Sequence, residues 1–310
     1  MDHLYLGQSG LRVSRLSLGT MGWGSEVNEE DAQEQFSTFI TAGGTTVETG
    51  PHFGQTQAES ILSDILADTT PRDEVILSVT SAPVPTDPHG PVDASRQRLL
   101  AQLDGSLARL GTDYLDLWSV PLDRRTPVEE TLSCLEYAYT SGKARYVGLV
   151  ADTAWLVARA AALAPVPLVS VSTEYSLVRR DLERELLDAV AVSGQSLRAW
   201  SPLAYGALSG KYAGGKTPAR SRAADSRWEA ALARYLDETS SNIVEALGVA
   251  AQGLNISPVS LALGWLLAKD EVAQVVMGAR NNDQLKELLK SANVSVPAEI
   301  LAVLDEVAKP

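Results

Sequence analysis

Short apolar runs alternate with amphipathic stretches along most of the chain. Thr45–Glu48 and Val75–Val79 ("VILSV") are continuous runs of the kind that strands buried on both faces display. Leu16–Leu18 precedes them, and "DYLDLWSVP", "ARYVGLV", "PLVSVSTEY", "SLRAWSP" and "VAQVVMG" follow as further strands. Between the runs the spacing changes to that of helices. Asn28 stands where a cap belongs, before the stripe Ala32, Phe36, Phe39 and Ile40, and Leu99, Leu103, Leu107 and Leu110 form a second stripe. Thr126, Pro127 and Glu129 predict a capping box with proline at the first helical position. "NNDQLKELL" opens the helix after the last strand, and Pro297 starts a final helix that runs through Val307.

Two short strands around Gly7–Gly10 predict an N-terminal β-hairpin. Eight strand–helix pairs then predict an α/β fold, a (β/α)8 TIM barrel carrying that hairpin and a C-terminal helix, as one domain over residues 1–310. On such a barrel chemistry belongs at the C-terminal ends of the strands. Residues 203–228, rich in Gly, Ala, Ser and Arg, make the longest loop, and a loop of that length predicts a functional lid or a mobile insert.

Composition narrows the partners. The chain has 310 residues and 45% hydrophobic content, enough for one barrel core of roughly 250 residues or more. A formal net charge of -13, spread along the chain, argues against nucleic acid or an anionic membrane and leaves a small-molecule substrate. A lone Cys134, placed mid-helix, excludes a disulfide framework and a cysteine-rich metal site and predicts an inert thiol, so no metal is expected. No signal core or membrane-length apolar run is present, which predicts a cytoplasmic location.

The richest stretch is "TTVETGPHFG", a β-branched strand running into a Gly/Pro turn, with a helix from about Gln57. With "QTQAESIL" after it, the stretch resembles the aldo-keto reductase signature D-T-A-x-x-Y-G followed by G-x-S-E. The likeness extends through "LGQSGLRVSRLSLGTMGWG", "SLARLGTDYLDL", "SGKARYVGL", "AWSPLAYGALSGKY" and "GARNNDQL". In that family an Asp, Tyr, Lys and His form a catalytic tetrad. The resemblance puts those positions on Glu48, Phe53, Thr80 and Pro121, so none of the four residue types is kept. Loss of one general acid costs roughly 10²–10⁴ in rate, so ordinary carbonyl reduction is expected at background.

The resemblance also implies an NADP(H) site. Gly278, Arg280, Gln284 and Glu287 fall on the adenosine side, with Leu288 where an Asn is usual. Ser201, Leu203 and Lys211 fall on the pyrophosphate side, and Trp200 on the position that stacks against nicotinamide. The carboxamide-gripping positions fall on Val150, Ala151 and Ser172, so that half is expected to be loosened.

Glu48, without a neighbouring lysine, is expected to be a buried carboxyl lacking a countercharge, either a neutral acid or a filler bonded to Thr80. His52 is the candidate base beside it, with His89 of "PVPTDPHGP" as another. Trp23 and Trp200 are expected to sandwich a flat ligand, with Phe53, Thr80 and Pro121 completing a substrate pocket, while the parity of Trp118 makes it core. Arg124 and Arg125 suit an anionic substrate or a solvated face. Three functions fit: acid/base chemistry such as dehydration, cyclisation or isomerisation on a retained scaffold, an NADP(H)-dependent oxidoreductase with another proton route, or a non-catalytic dinucleotide-binding or regulatory subunit.

Overall fold

The computed structural model describes residues 1–81, 94–219 and 221–309. β1 (His3–Tyr5) and β2 (Arg12–Ser14) pair as the antiparallel hairpin, and β3 (Leu16–Gly19) begins the barrel. α1 (Glu29–Thr41), β4 (Thr46–Thr49), α2 (Gln57–Thr69), β5 (Ile76–Thr80), α3 (Arg96–Leu110), β6 (Leu115–Pro121) and α4 (Val128–Thr140) follow. The second half runs β7 (Ala144–Val150), α5 (Ala154–Leu163), β8 (Leu168–Glu174), α6 (Leu186–Val192) and β9 (Ser196–Trp200). It ends with α7 (Glu229–Ala233), α8 (Glu238–Gly253), α9 (Pro258–Leu267), β10 (Val272–Met277), α10 (Asn282–Ser291) and α11 (Ala298–Val307). The eight strands β3 to β10 close into a parallel barrel, β10 lying between β9 and β3.

Local chemistry explains the element ends. The side chain of Asn28 accepts from the Asp31 N–H, Ser95 caps α3 at Arg98, and Asn281 caps α10 at Gln284. Gly111, at φ 60°, ends α3 in the left-handed conformation that glycine adopts without strain. The expected capping box at Thr126 does not form. Pro127 stands just outside α4 with extended ψ and no side-chain cap, and Glu129 instead pairs with Arg159 at 2.7 Å. The predicted stripes of α1 and α3 are largely buried against the strands, among Phe36, Phe39, Leu99 and Leu103.

The hairpin closes the floor of the barrel, where Leu6, Leu11 and Val13 pack against Leu117, Val169 and Ala273. Above that floor the interior is polar. Residues paired in parallel register share a face, which puts Thr46, Glu48, Ser78, Thr80, Ser119, Ser170, Arg198 and Gln274 inside. Barrels of this class usually fill their centre with branched apolar side chains. Here buried hydroxyls, an amide and two charges do much of that filling.

Candidate active site

Glu48, on β4, sits in the barrel centre with both carboxylate oxygens engaged. Thr80 donates to Oε1 at 3.0 Å and Ser78 to Oε2 at 3.0 Å. Arg198, from β9, donates a very short bond to Oε2 from its Nη2. The expectation that Glu48 lacks a countercharge is therefore corrected: Arg198 provides it from across the interior. Arg198 is fully buried, and its Nε donates to Gln274 Oε1 at 2.9 Å, while Gln274 Nε2 donates to the Ser14 carbonyl at 2.8 Å. A buried ion pair holds only when hydrogen bonds satisfy the remaining lone pairs and protons. Ser78, Thr80 and Gln274 do that here for every polar atom of the pair except Arg198 Nη1, which has no partner among the described residues.

His52 does not join Glu48. It lines a cavity of about 230 Å³ shared with α3, and its ring meets that of Phe53 edge-on, centroids 4.7 Å apart. Burial pushes its pKa down to about 4, so the ring is neutral at pH 7. Phe53 is half-buried at the head of the short turn Phe53–Thr56 and packs against the core. Thr80 and Pro121 end their strands as buried inward residues. Trp23 departs from that reading. It is 1% exposed and its Nε1 donates to Gln35 of α1 at 3.1 Å. The indole therefore packs beneath α1, and Trp23 is core. Trp118 is core as expected, donating to Ser81 at 2.8 Å. His89 lies outside the described residues. Arg125 is exposed and bound to Asp123 at 2.7 Å.

The other side of the mouth is cationic. Trp200 ends β9 facing inward beside Glu174 and Val276, half-buried. The chain then turns through left-handed residues at Ser201 (φ 57°), Ala204 (φ 48°) and Tyr205 (φ 55°). Leu203 packs on the core, and Lys211 follows, half-buried. Burial first, then the positive charges of Arg280 and Arg222, push the Lys211 ammonium down to about 8, with Glu26 pulling the other way. Gln284 accepts from the Arg280 backbone N–H at 3.1 Å and so fixes the loop from Gly278 into α10, where Glu287 is half-buried. Lys211 lies within charge range of Arg222, which pairs with Glu26 at 3.5 Å, and of Arg280, which precedes the N-terminus of α10; such a group suits a polyphosphate. The long segment after β9 is not a bare loop: it contains short turns and α7, and Tyr235 donates to Glu174 while Tyr235 stacks on Tyr205.

The sequence profile described as the Aldo/keto reductase family matches residues 15–309. The chain belongs to the aldo/keto reductase family. It is 33% identical over 321 residues to the uncharacterized oxidoreductase YrpG of Bacillus subtilis, covering 99% of this chain and 96% of that protein. It is likewise 33% identical to an L-glyceraldehyde 3-phosphate reductase of Escherichia coli (99% and 92% covered), and 32% identical to a probable voltage-gated potassium channel subunit beta of Oryza sativa (99% and 95% covered).

Arg198 is the residue of this aldo/keto reductase that sequence reasoning missed. The signal was available: in "SLRAWSP" it stands two positions before Trp200, hence on the same inward face. Gln274 carries the same mark within "VAQVV".

Proposed function

We propose that this aldo/keto reductase is an oxidoreductase that holds NADP(H) across the strand ends and acts on a small molecule without any of the family's four tetrad residue types at their positions. The observation that carries the reading is the cluster of Lys211, Arg222 and Arg280, in which Lys211 loses affinity for its proton first through burial and then through the two arginines, while Arg222 pairs with Glu26 at 3.5 Å. A phosphorylated dinucleotide relieves the repulsion between Lys211 and the arginines. Arg280 would hold the 2′-phosphate side, Lys211 and the left-handed turn at Ser201 the pyrophosphate, and Trp200 the nicotinamide face. When bound, NADPH supplies hydride.

The chain's own residues then orient and exclude water. Phe53 and Pro121 offer an apolar wall, and Glu48 is tied to Ser78, Thr80 and Arg198. A carboxylate bound three ways is a poor acid or base for a substrate, which disfavours the acid/base reading built on Glu48 and His52. The proton of a reduction would come from solvent. A second reading, a dinucleotide-binding protein without turnover, is favoured by the same engaged Glu48.

Titration of protein fluorescence, dominated by six tryptophans, tests cofactor binding. A charge-assisted contact worth about 1.5–3 kcal/mol predicts NADPH binding at least tenfold tighter than NADH, with the preference lost in Arg280→Met. Equal affinities, or no saturable quenching, would overturn the reading. Transfer of deuterium from labelled NADPH to a panel of carbonyl and enone substrates then separates the oxidoreductase from the binder.

A further inference from the structure

The cavity beside His52 lies between the loop after β4 and α3, and Lys211, Arg222 and Arg280 are not among its lining residues. Pro51, His52 and Thr56 form one wall, and Arg98, Gln102 and Arg109 the other. Positions 98, 102, 105 and 109 recur at four-, three- and four-residue steps, so one face of α3 carries both arginines and the amide. Gly105 sits between them without a side chain. A Cβ there would come within 3.0 Å of Arg109 Nη1, so the guanidinium lies back over the glycine. Buried Glu59 of α2 accepts from Arg109 Nε at 2.6 Å, which fixes the fork while engaging one of its three nitrogens among the described residues. Arg98 is exposed and has no side-chain partner among the described residues.

Two further atoms point to a ligand. Gln102 is 93% buried, its relative exposure being 7%, yet its Oε1 has no hydrogen-bond partner among the described residues. The same is true of His52 Nδ1. A buried polar atom left unpaired costs about 1–3 kcal/mol, so one on each wall of the cavity calls for a polar occupant. Among the described residues no acidic side chain lines the cavity, on a chain whose formal net charge is -13. The volume of about 230 Å³ compares with ~30 Å³ for one water in the liquid, enough for a phosphate bearing a short hydroxylated carbon chain.

We propose that this cavity binds a small hydroxylated phosphate monoester, its phosphate between Arg98 and Arg109 and its hydroxyl donating to Gln102 Oε1, with His52 Nδ1 as a further hydrogen-bonding partner. Arginine suits the phosphate because its planar donors meet two oxygens at once. The amide oxygen accepts and cannot serve the phosphate, so it selects for the hydroxyl. This proposal stands independently of the dinucleotide reading.

Calorimetric titration with glycerol phosphate, inorganic phosphate and glycerol tests it on the whole protein and on three variants. Glycerol phosphate should bind saturably and at least tenfold tighter than inorganic phosphate, and glycerol not at all. Arg98→Ala, a surface change, should weaken glycerol phosphate at least tenfold. Gln102→Leu should erase the advantage of glycerol phosphate over inorganic phosphate, and Arg280→Ala should bind it as the wild type does. Absence of saturable binding, or loss in Arg280→Ala with Arg98→Ala unaffected, would overturn the proposal, the second result by moving the phosphate to the barrel mouth.

Discussion

Replacing Arg198 by Met isolates the energetics of the barrel centre. The substitution keeps a long side chain and removes the cation from a position with no exposed surface. Glu48, itself 4% exposed, is then left with two hydroxyl donors, and Gln274 Oε1 loses its donor at 2.9 Å. Removing one partner of a buried ion pair costs about 3–5 kcal/mol, and an orphaned amide oxygen about 1–3 kcal/mol. The two losses share one side chain and are not additive, so about 4–5 kcal/mol is expected. At about 2.1 cal/mol/K of unfolding entropy per residue, a chain of 310 residues should lose roughly 7 °C in Tm. Urea unfolding followed by circular dichroism measures the free energy directly. The companion double variant, Glu48→Gln with Arg198→Met, replaces the carboxylate by a neutral amide of the same shape, whose oxygen accepts from one of the Ser78 and Thr80 hydroxyls while its NH2 donates to the other. It should be at least ~3 kcal/mol more stable than the sum of the single losses predicts. A cost below ~1 kcal/mol for Arg198→Met, or strict additivity in the cycle, would refute the account of Arg198 as the countercharge of Glu48.

Lys211 is an ammonium below its value of about 8, so NADPH affinity should be full at pH 7 and decline as pH rises through 8, and the decline should vanish in Lys211→Met, both read by fluorescence titration. His52 is held neutral down to about 4 against 6.5 for the free side chain. Above pH 6.5 it adds no pH dependence, and as pH falls from 6.5 to 4 the unfolded chain binds the extra proton, so up to about 3 kcal/mol of stability is lost. His52→Gln should lose correspondingly less over that interval in urea titrations at fixed pH, and parallel curves would argue against the buried neutral ring. Phe53→Tyr alone should leave NADPH-dependent reduction of simple aldehydes at background, since the new phenol has neither a lysine nor a histidine at the tetrad positions. A fast reductase assay with that variant would contradict it.

The barrel was legible because each strand is a compact apolar run and each helix carries a stripe at helical spacing, as in Thr45–Glu48 and Leu99–Leu110. These are local signals. The meeting of Glu48 and Arg198 is not local: 150 positions separate them, and only closure of the sheet brings them together. Parity places each residue inward, yet which inward residues touch depends on strand stagger, and the chain does not spell that out locally. Trp23 failed for a different reason. Beyond the strand end, parity lapses, and the indole instead finds Gln35 of α1. His52 was placed on the correct loop and assigned the wrong neighbour, because the turn Phe53–Thr56 rotates its ring toward α3.

The place of β10 between β9 and β3 has a consequence for biosynthesis. A nascent chain that has emerged as far as Trp200 possesses an open sheet with two unsatisfied margins, β3 made early and β9 made late. Neither is covered until Val272–Met277 leaves the ribosome. Gln274 then spans the seam at once, receiving Arg198 from β9 and donating to Ser14 next to β3. Until that moment the incomplete sheet offers strand edges to any neighbour, the condition under which chains aggregate. Chaperone dependence during synthesis should therefore end abruptly, at a chain length set by the emergence of Met277, instead of fading as successive helices are added.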